Sequence, residues 1–143
     1  MAKDLYVSYF LEDNPSQQNY FSFGFDTPRA VDGLTKLLVV FLKDLFTIRG
    51  SDIYDREAGT LLGTIIGGNV ANIDDVEDIV SLSVSDSADN VRRYQTSSML
   101  TDEERIGVVE LVELEIIEPD GVAAKIRVQN AVGRSLVASL PVT

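Results

Sequence analysis

The sequence has no cysteine, no histidine and no tryptophan among its 143 residues. Without thiol or imidazole there are no disulfides, no Cys/His zinc sites, no imidazole ligation of haem, no thiol nucleophile and no triad built on an imidazole base. Basic residues are scarce: 12 Lys and Arg stand against 23 Asp and Glu, a formal net charge of −11, and the basic ones do not cluster. That balance opposes phosphate backbones and anionic lipid, so no nucleic acid and no membrane is expected as a partner. Long hydrophobic runs are missing as well. The longest, Leu37 to Leu42, lies between Lys36 and Lys43 and is too short to span a bilayer. The start, Met1-Ala2-Lys3-Asp4, has no apolar stretch behind it of the signal-peptide kind. A soluble protein made in the cytoplasm is expected, and the lack of cysteine suits an extracellular particle equally well.

Hydrophobic residues at 45% and charged residues at 24% are close to globular averages, and the length fits one core. The reading is a single domain over 1–143, with a possible arm or hairpin over 1–26, a helical region over 27–100 and antiparallel strands over 101–143. Leu5–Phe10 and Tyr20–Phe25 are aromatic-rich runs about a polar loop, the composition of two strands or of a tail that orders against a partner. Thr27-Pro28 signals a helix start. The helix then runs from about 28 to 47, with Val31, Leu34, Leu38, Phe41, Leu42 and Leu45 at three- and four-residue steps. Leu61, Leu62, Ile65 and Ile66 predict a short helix stopped by Gly67-Gly68. A further helix, capped by Asn72 or Asp74, carries acids in its first turns and Arg92-Arg93 near its end, matching the helix dipole. Its serines and Asp86 lower the propensity of its middle, so a kink or a second cap is expected there.

From Ile106 the period becomes two. Val122, Ala124, Ile126 and Val128 alternate with polar or small residues after the Glu118-Pro119-Asp120-Gly121 turn, and Leu136, Ala138, Leu140 and Val142 share one parity after Asn130–Gly133. In the first strand the apolar parity switches near Leu111-Val112, which a β-bulge would produce. The fold class is therefore α+β, with a helical N-terminal two-thirds packed on a small C-terminal antiparallel β-hairpin or sheet.

No motif carries chemistry. Gly63–Asn69 lacks the Lys and Ser/Thr of a phosphate loop, and dinucleotide and serine-hydrolase fingerprints are absent. Asp86–Asn90 lacks the glycine and glutamate of a calcium loop, and Asp52, Asp55 and Glu57 read better as surface ion pairs than as cation ligands. No catalytic residue, metal site or cofactor is expected. Thr101-Asp102-Glu103-Glu104-Arg105-Ile106 sits where helices hand over to strands, and Thr101 with Glu104 has capping-box spacing.

The order of these pieces over roughly 30–143 resembles the sheath-initiator family of contractile phage tails, the lysozyme-like baseplate wedge proteins, and their counterparts in type VI secretion baseplates. Three pieces carry the resemblance: the apolar helix ending in Thr47-Ile48-Arg49-Gly50-Ser51-Asp52 with Ala58-Gly59-Thr60 after it, the helix with Val91-Arg92-Arg93-Tyr94-Gln95, and Glu103-Glu104-Arg105-Ile106 before a hairpin. The family's Glu-Pro-Arg motif has Glu104 in place of its proline here, leaving Glu103 and Arg105 as the matching pair.

The resemblance implies a non-enzymatic virion protein of the tail baseplate. About six copies would ring the tail tube, touching tube or hub proteins, hold baseplate wedge proteins, and template the first ring of tail sheath protein by strand addition. Strand 122–130 or 135–142 is then the expected edge, with Val122, Ala124, Ile126, Val128, Leu136, Ala138 and Leu140 at the contact. Glu103 and Arg105 are expected either to contact wedge helices or to lock the helix-to-strand corner. Tyr6, Phe10, Phe21 and Phe23 are candidates for a further partner contact. Two other function classes stay open: a peptidoglycan hydrolase of the baseplate, and a small acidic regulator that binds a basic protein.

Overall fold

A computed structural model of the chain describes residues 5–12, 16, 19–23, 33–51, 53–54, 57–60, 62, 73–96, 99–117 and 121–141. Strands β1 (Leu5–Leu11) and β2 (Asn19–Phe23) come first. Helices α1 (Gly33–Phe46) and α2 (Ile73–Gln95) follow, and then strands β3 (Ile106–Ile117), β4 (Gly121–Asn130) and β5 (Ser135–Pro141). All five strands join one antiparallel sheet in the order β2-β1-β5-β4-β3.

The class is α+β, but the sheet is not the small C-terminal unit expected from the sequence. The N-terminal hairpin pairs with the last strand, placing Tyr9 opposite Ala138 and Leu11 opposite Leu136. That pairing sets the inward side chains of the two strands side by side: Tyr9 and Leu11 pack on the same core as Leu136 and Ala138.

Both helices lie against one face of the sheet. In α1, Leu34, Leu37, Leu38, Phe41, Leu42 and Leu45 are buried, the wide stripe their spacing predicts. They meet Val76, Val80, Val84, Ala88 and Val91 of α2 and Ala124, Ile126, Val128, Leu136, Ala138 and Leu140 of the sheet. Leu62 joins the same cluster, while the remainder of the expected 61–66 helix, the Thr27-Pro28 start and the Glu118–Asp120 turn lie outside the described residues.

Helix α2 runs unbroken through the serine-rich stretch where a kink was expected. The reason is tertiary: Ser83 and Ser87 are buried, and Ser87 Oγ donates to Phe41 O at 3.3 Å and to Asp44 Oδ2 at 2.8 Å, on the facing helix. Asp86 caps nothing and instead pairs with Arg49 at 3.1 Å.

Strand β3 contains the expected bulge and a second one. Leu111 pairs with Ile126 and Glu113 with Lys125, so Val112 is an extra residue; Ile106 pairs with Asn130 and Val109 with Val128, so another lies between them. Each bulge shifts the parity, which keeps Ile106, Val109, Leu111 and Leu114 against the core and turns Val108 and Val112 to solvent. Gly107 occupies the first bulge because the strands approach too closely for a side chain. A Cβ there would stand 2.6 Å from Asn130 O.

Candidate interaction surface

The corner over 101–106 is a turn, with Glu104 N donating to Thr101 O and Arg105 N to Asp102 O, so Thr101 caps no helix. Gln95, the last residue of α2, holds it from one side: Nε2 donates to Glu104 O at 2.9 Å, and Oε1 accepts from Ile106 N at 2.8 Å. Arg105 returns a bond by donating from Nη1 to Gln95 O at 3.2 Å, which satisfies a carbonyl at the helix C-terminus. From the other side Asn130 Nδ2 donates to Glu103 O at 3.0 Å and Ala131 N to Arg105 O at 2.9 Å. Lys36 of α1 reaches Glu104 at 3.5 Å. Arg105 therefore works inward, tying α2 to β3. Glu103 contributes its backbone carbonyl to the corner and presents an exposed side chain.

A second polar cluster, unforeseen in the sequence, lies inside the helix pair. Asp44 is only 5% exposed and accepts four hydrogen bonds. Oδ1 takes Gly59 N at 3.1 Å and Tyr94 OH at 2.8 Å, while Oδ2 takes Ser87 Oγ at 2.8 Å and Asn90 Nδ2 at 3.0 Å. Asn90 also donates to Gly59 O at 3.1 Å. The segment around Gly59 is thereby stitched to both helices, and the bridge between Ile48 and Thr60 holds it to the end of α1. Gly59 has φ +92°, and its Cα faces the Thr47 carbonyl so closely that no side chain fits. Every lone-pair pair on Asp44 is used within the fold, which makes the cluster a structural staple. Asp52 and Asp55 lie outside the described residues, and Glu57 stands 3.9 Å from Arg93. Among the described residues no group of three or more carboxylates could hold a metal ion.

The expected strand-receiving edge is corrected by the topology. β4 is bonded to β3 and β5, and β5 to β4 and β1, so neither β4 nor β5 is an edge strand of the sheet; Val142 lies outside the described residues. Ala124, Ile126, Val128, Leu136, Ala138 and Leu140 are buried in the chain's own core, and Val122 packs partly buried against it. Phe10 is half-buried on the opposite face of the sheet, across from Val137. Tyr6 pairs with Ser22, Phe21 with Val7 and Phe23 with Leu5 along the backbone, and the side chains of all three lie outside the described residues.

The sheet instead ends on β2 and β3, and β3 is the long edge. Among the described residues no strand pairs with its outer side. Beside it runs a groove of about 360 Å³ between β3 and α2, whose lining includes Val84, Ser85, Ala88, Arg92, Val109 and Leu111. Arg92 closes the groove at one end by donating from Nη2 to Gly107 O at 2.9 Å. Val108 and Val112, the bulge residues, are 57% and 51% exposed.

On the solvent face of the sheet, β3 and β4 carry a charge ladder. Lys125 lies 3.0 Å from Glu113 and 3.9 Å from Glu115; Arg127 lies 3.3 Å from Glu110 and also pairs with Glu12. The hydrogen bond and charge of Glu113, with Glu115 adding to them, raise the Lys125 ammonium above its ordinary 10.5. Hydrogen bonds to Glu12 and Glu110 likewise raise Arg127. The only trace of this surface in the sequence is the parity break at Val112, which separates Glu110 from Glu113 and Glu115. No family model, no curated protein and no solved structure matches the chain.

Proposed function

We propose that the protein is a non-enzymatic structural component of a contractile-tail baseplate that receives an extended strand of the tail sheath protein on the β3 edge. Several copies would surround the tail tube, with the corner at Glu103–Arg105 turned toward wedge subunits through the exposed Glu103 side chain. The resemblance of 30–143 to sheath initiators motivates the role. The observation that carries it is the long β3 edge with a groove at its flank. An edge strand has outward N–H and C=O groups that a further strand satisfies, and the groove leaves room for the side chains that strand would direct toward α2. Over Val109–Ile117 the edge extends roughly 30 Å at the rise of an antiparallel strand, enough for strong main-chain pairing.

Because the chain has no cysteine, Val112→Cys creates a single labelling point on that edge. The experiment is thiol cross-linking in cells that produce the particle, followed by mass spectrometry of the adduct. Cross-links to sheath protein that grow with sheath assembly are expected. Assembled sheath with the label still freely reactive, or cross-links to a host protein alone, would refute the reading.

A further inference from the structure

The β3 edge also specifies the chemistry of the strand that pairs with it, an inference that rests on the strand-accepting reading above. Glu110, Glu113 and Glu115 have side chains 54, 55 and 53% exposed, and the bulge at Val112 makes them successive positions on the solvent face. Among the described residues, on their β4 side they meet only Arg127 and Lys125, and Arg127 is shared with Glu12. Two cations thus serve four carboxylates. Strands of a sheet are evenly spaced, about 4.8 Å apart, so a strand on the open side of β3 sets its own solvent-facing side chains as near to these glutamates as Lys125 and Arg127 already are.

A second copy of β3 in that place would oppose glutamate with glutamate, which cross-strand pairing disfavours. On the opposite face the incoming side chains enter the groove beside Ser81, Ser85 and Ala88, where small helix residues leave space; Val109 and Leu111 give it apolar surface, and the serines, Arg92 and Glu110 make the larger part of its lining polar. The contact between Arg92 and Gly107 limits pairing to the stretch from Val109 onward. We infer that the occupant is an extended segment of a different protein, with Lys or Arg at alternate positions facing Glu110, Glu113 and Glu115 and uncharged small or apolar residues between them facing α2.

The test uses the full chain, 15N-labelled, and two synthetic peptides of alternating Lys and Val or alternating Gln and Val, with amide shifts followed by NMR at low and high salt. The Lys peptide is expected to move amides over 109–117 and to bind about tenfold more tightly than the Gln peptide at low salt, an advantage that shrinks as salt screens it. The triple variant E110Q/E113Q/E115Q, its fold checked by circular dichroism and melting, is expected to lose that advantage. Equal affinity of the two peptides at β3 would overturn the inference and leave strand acceptance standing. Shifts from the Lys peptide scattered over the acidic surface would overturn it as non-specific attraction. If neither peptide moves β3 amides, the inference fails together with the strand-accepting reading, whereas cross-linking of Val112→Cys tests that reading alone.

Discussion

Replacing Asp44 by Asn probes the staple between the helices with almost no change of shape. The amide oxygen is best kept at Oδ1, where Gly59 N and Tyr94 OH are both donors. The new NH2 group then faces Ser87 and Asn90. Ser87 adapts, since its hydroxyl can turn to accept while keeping Phe41 O as an acceptor for its own proton. Asn90 Nδ2 cannot adapt and retains only Gly59 O. One charge-assisted bond is lost and the others lose their charge, which amounts to about 2–3 kcal/mol at 1.5–3 kcal/mol per bond to a charged group. With a urea dependence of about 2 kcal/mol per molar, the unfolding midpoint falls by roughly 1–1.5 M. Adding Asn90→Ala to the variant should cost less than the same change in the parent, a coupling of about 1 kcal/mol. A midpoint shift under about 0.25 M, or strict additivity, would refute the assignment of Asp44 as the staple.

Gly107→Ala places its Cβ 2.6 Å from Asn130 O, so β4 must shift; a loss of about 2 kcal/mol and roughly 5–10 °C in melting temperature is expected, against almost none for Val108→Ala. Gln95→Ala leaves Glu104 O and Ile106 N without their side-chain partner and should cost about 2 kcal/mol, with faster amide exchange concentrated over 103–107. Glu113→Gln should lower the Lys125 titration toward 10.5, read by NMR at the side chain. Because Lys125 titrates higher in the folded state, its pair stabilises at neutral pH and that contribution is lost as pH rises through the folded value. The difference between Glu113→Gln and the parent should therefore fade in strongly alkaline solution, and an unchanged Lys125 titration would contradict the pairing.

Parity reports which face meets the core, so the alternation pointed to Ala124, Ile126, Val128, Leu136, Ala138 and Leu140, all buried; Val122 is only partly so, Ala123 is buried on the other parity, and Val142 lies outside the described residues. Parity carries no information on how many neighbours a strand has. The same residues were therefore expected at an open edge and lie in the middle of the sheet, since the missing neighbour, β1, stands more than a hundred residues away in sequence. The bulge at Val112 was legible because it changes parity locally. The continuity of α2 was not, because Ser87 and Asn90 are weak helix formers whose partner, Asp44, belongs to the other helix. Glu103 and Arg105 stood out through resemblance alone, and sequence spacing does not show what each touches: Arg105 bonds within the corner, while the exposed Glu103 carboxylate lies beside Gly33 at the start of α1.

The place of β5 between β1 and β4 has a kinetic consequence. Of the seven described elements, β5, which completes the sheet, follows the other six along the chain, and its partner β1 precedes them, with Ser8 joined to Ser139. Until that pairing forms, β1 and β4 each have a bare flank, and the core stands open along the line where Leu136, Ala138 and Leu140 belong. Closing so long a loop is slow compared with forming the local hairpins, so refolding should be limited by this one docking event, and it is in that interval that the chain is most exposed to pairing with the wrong strand.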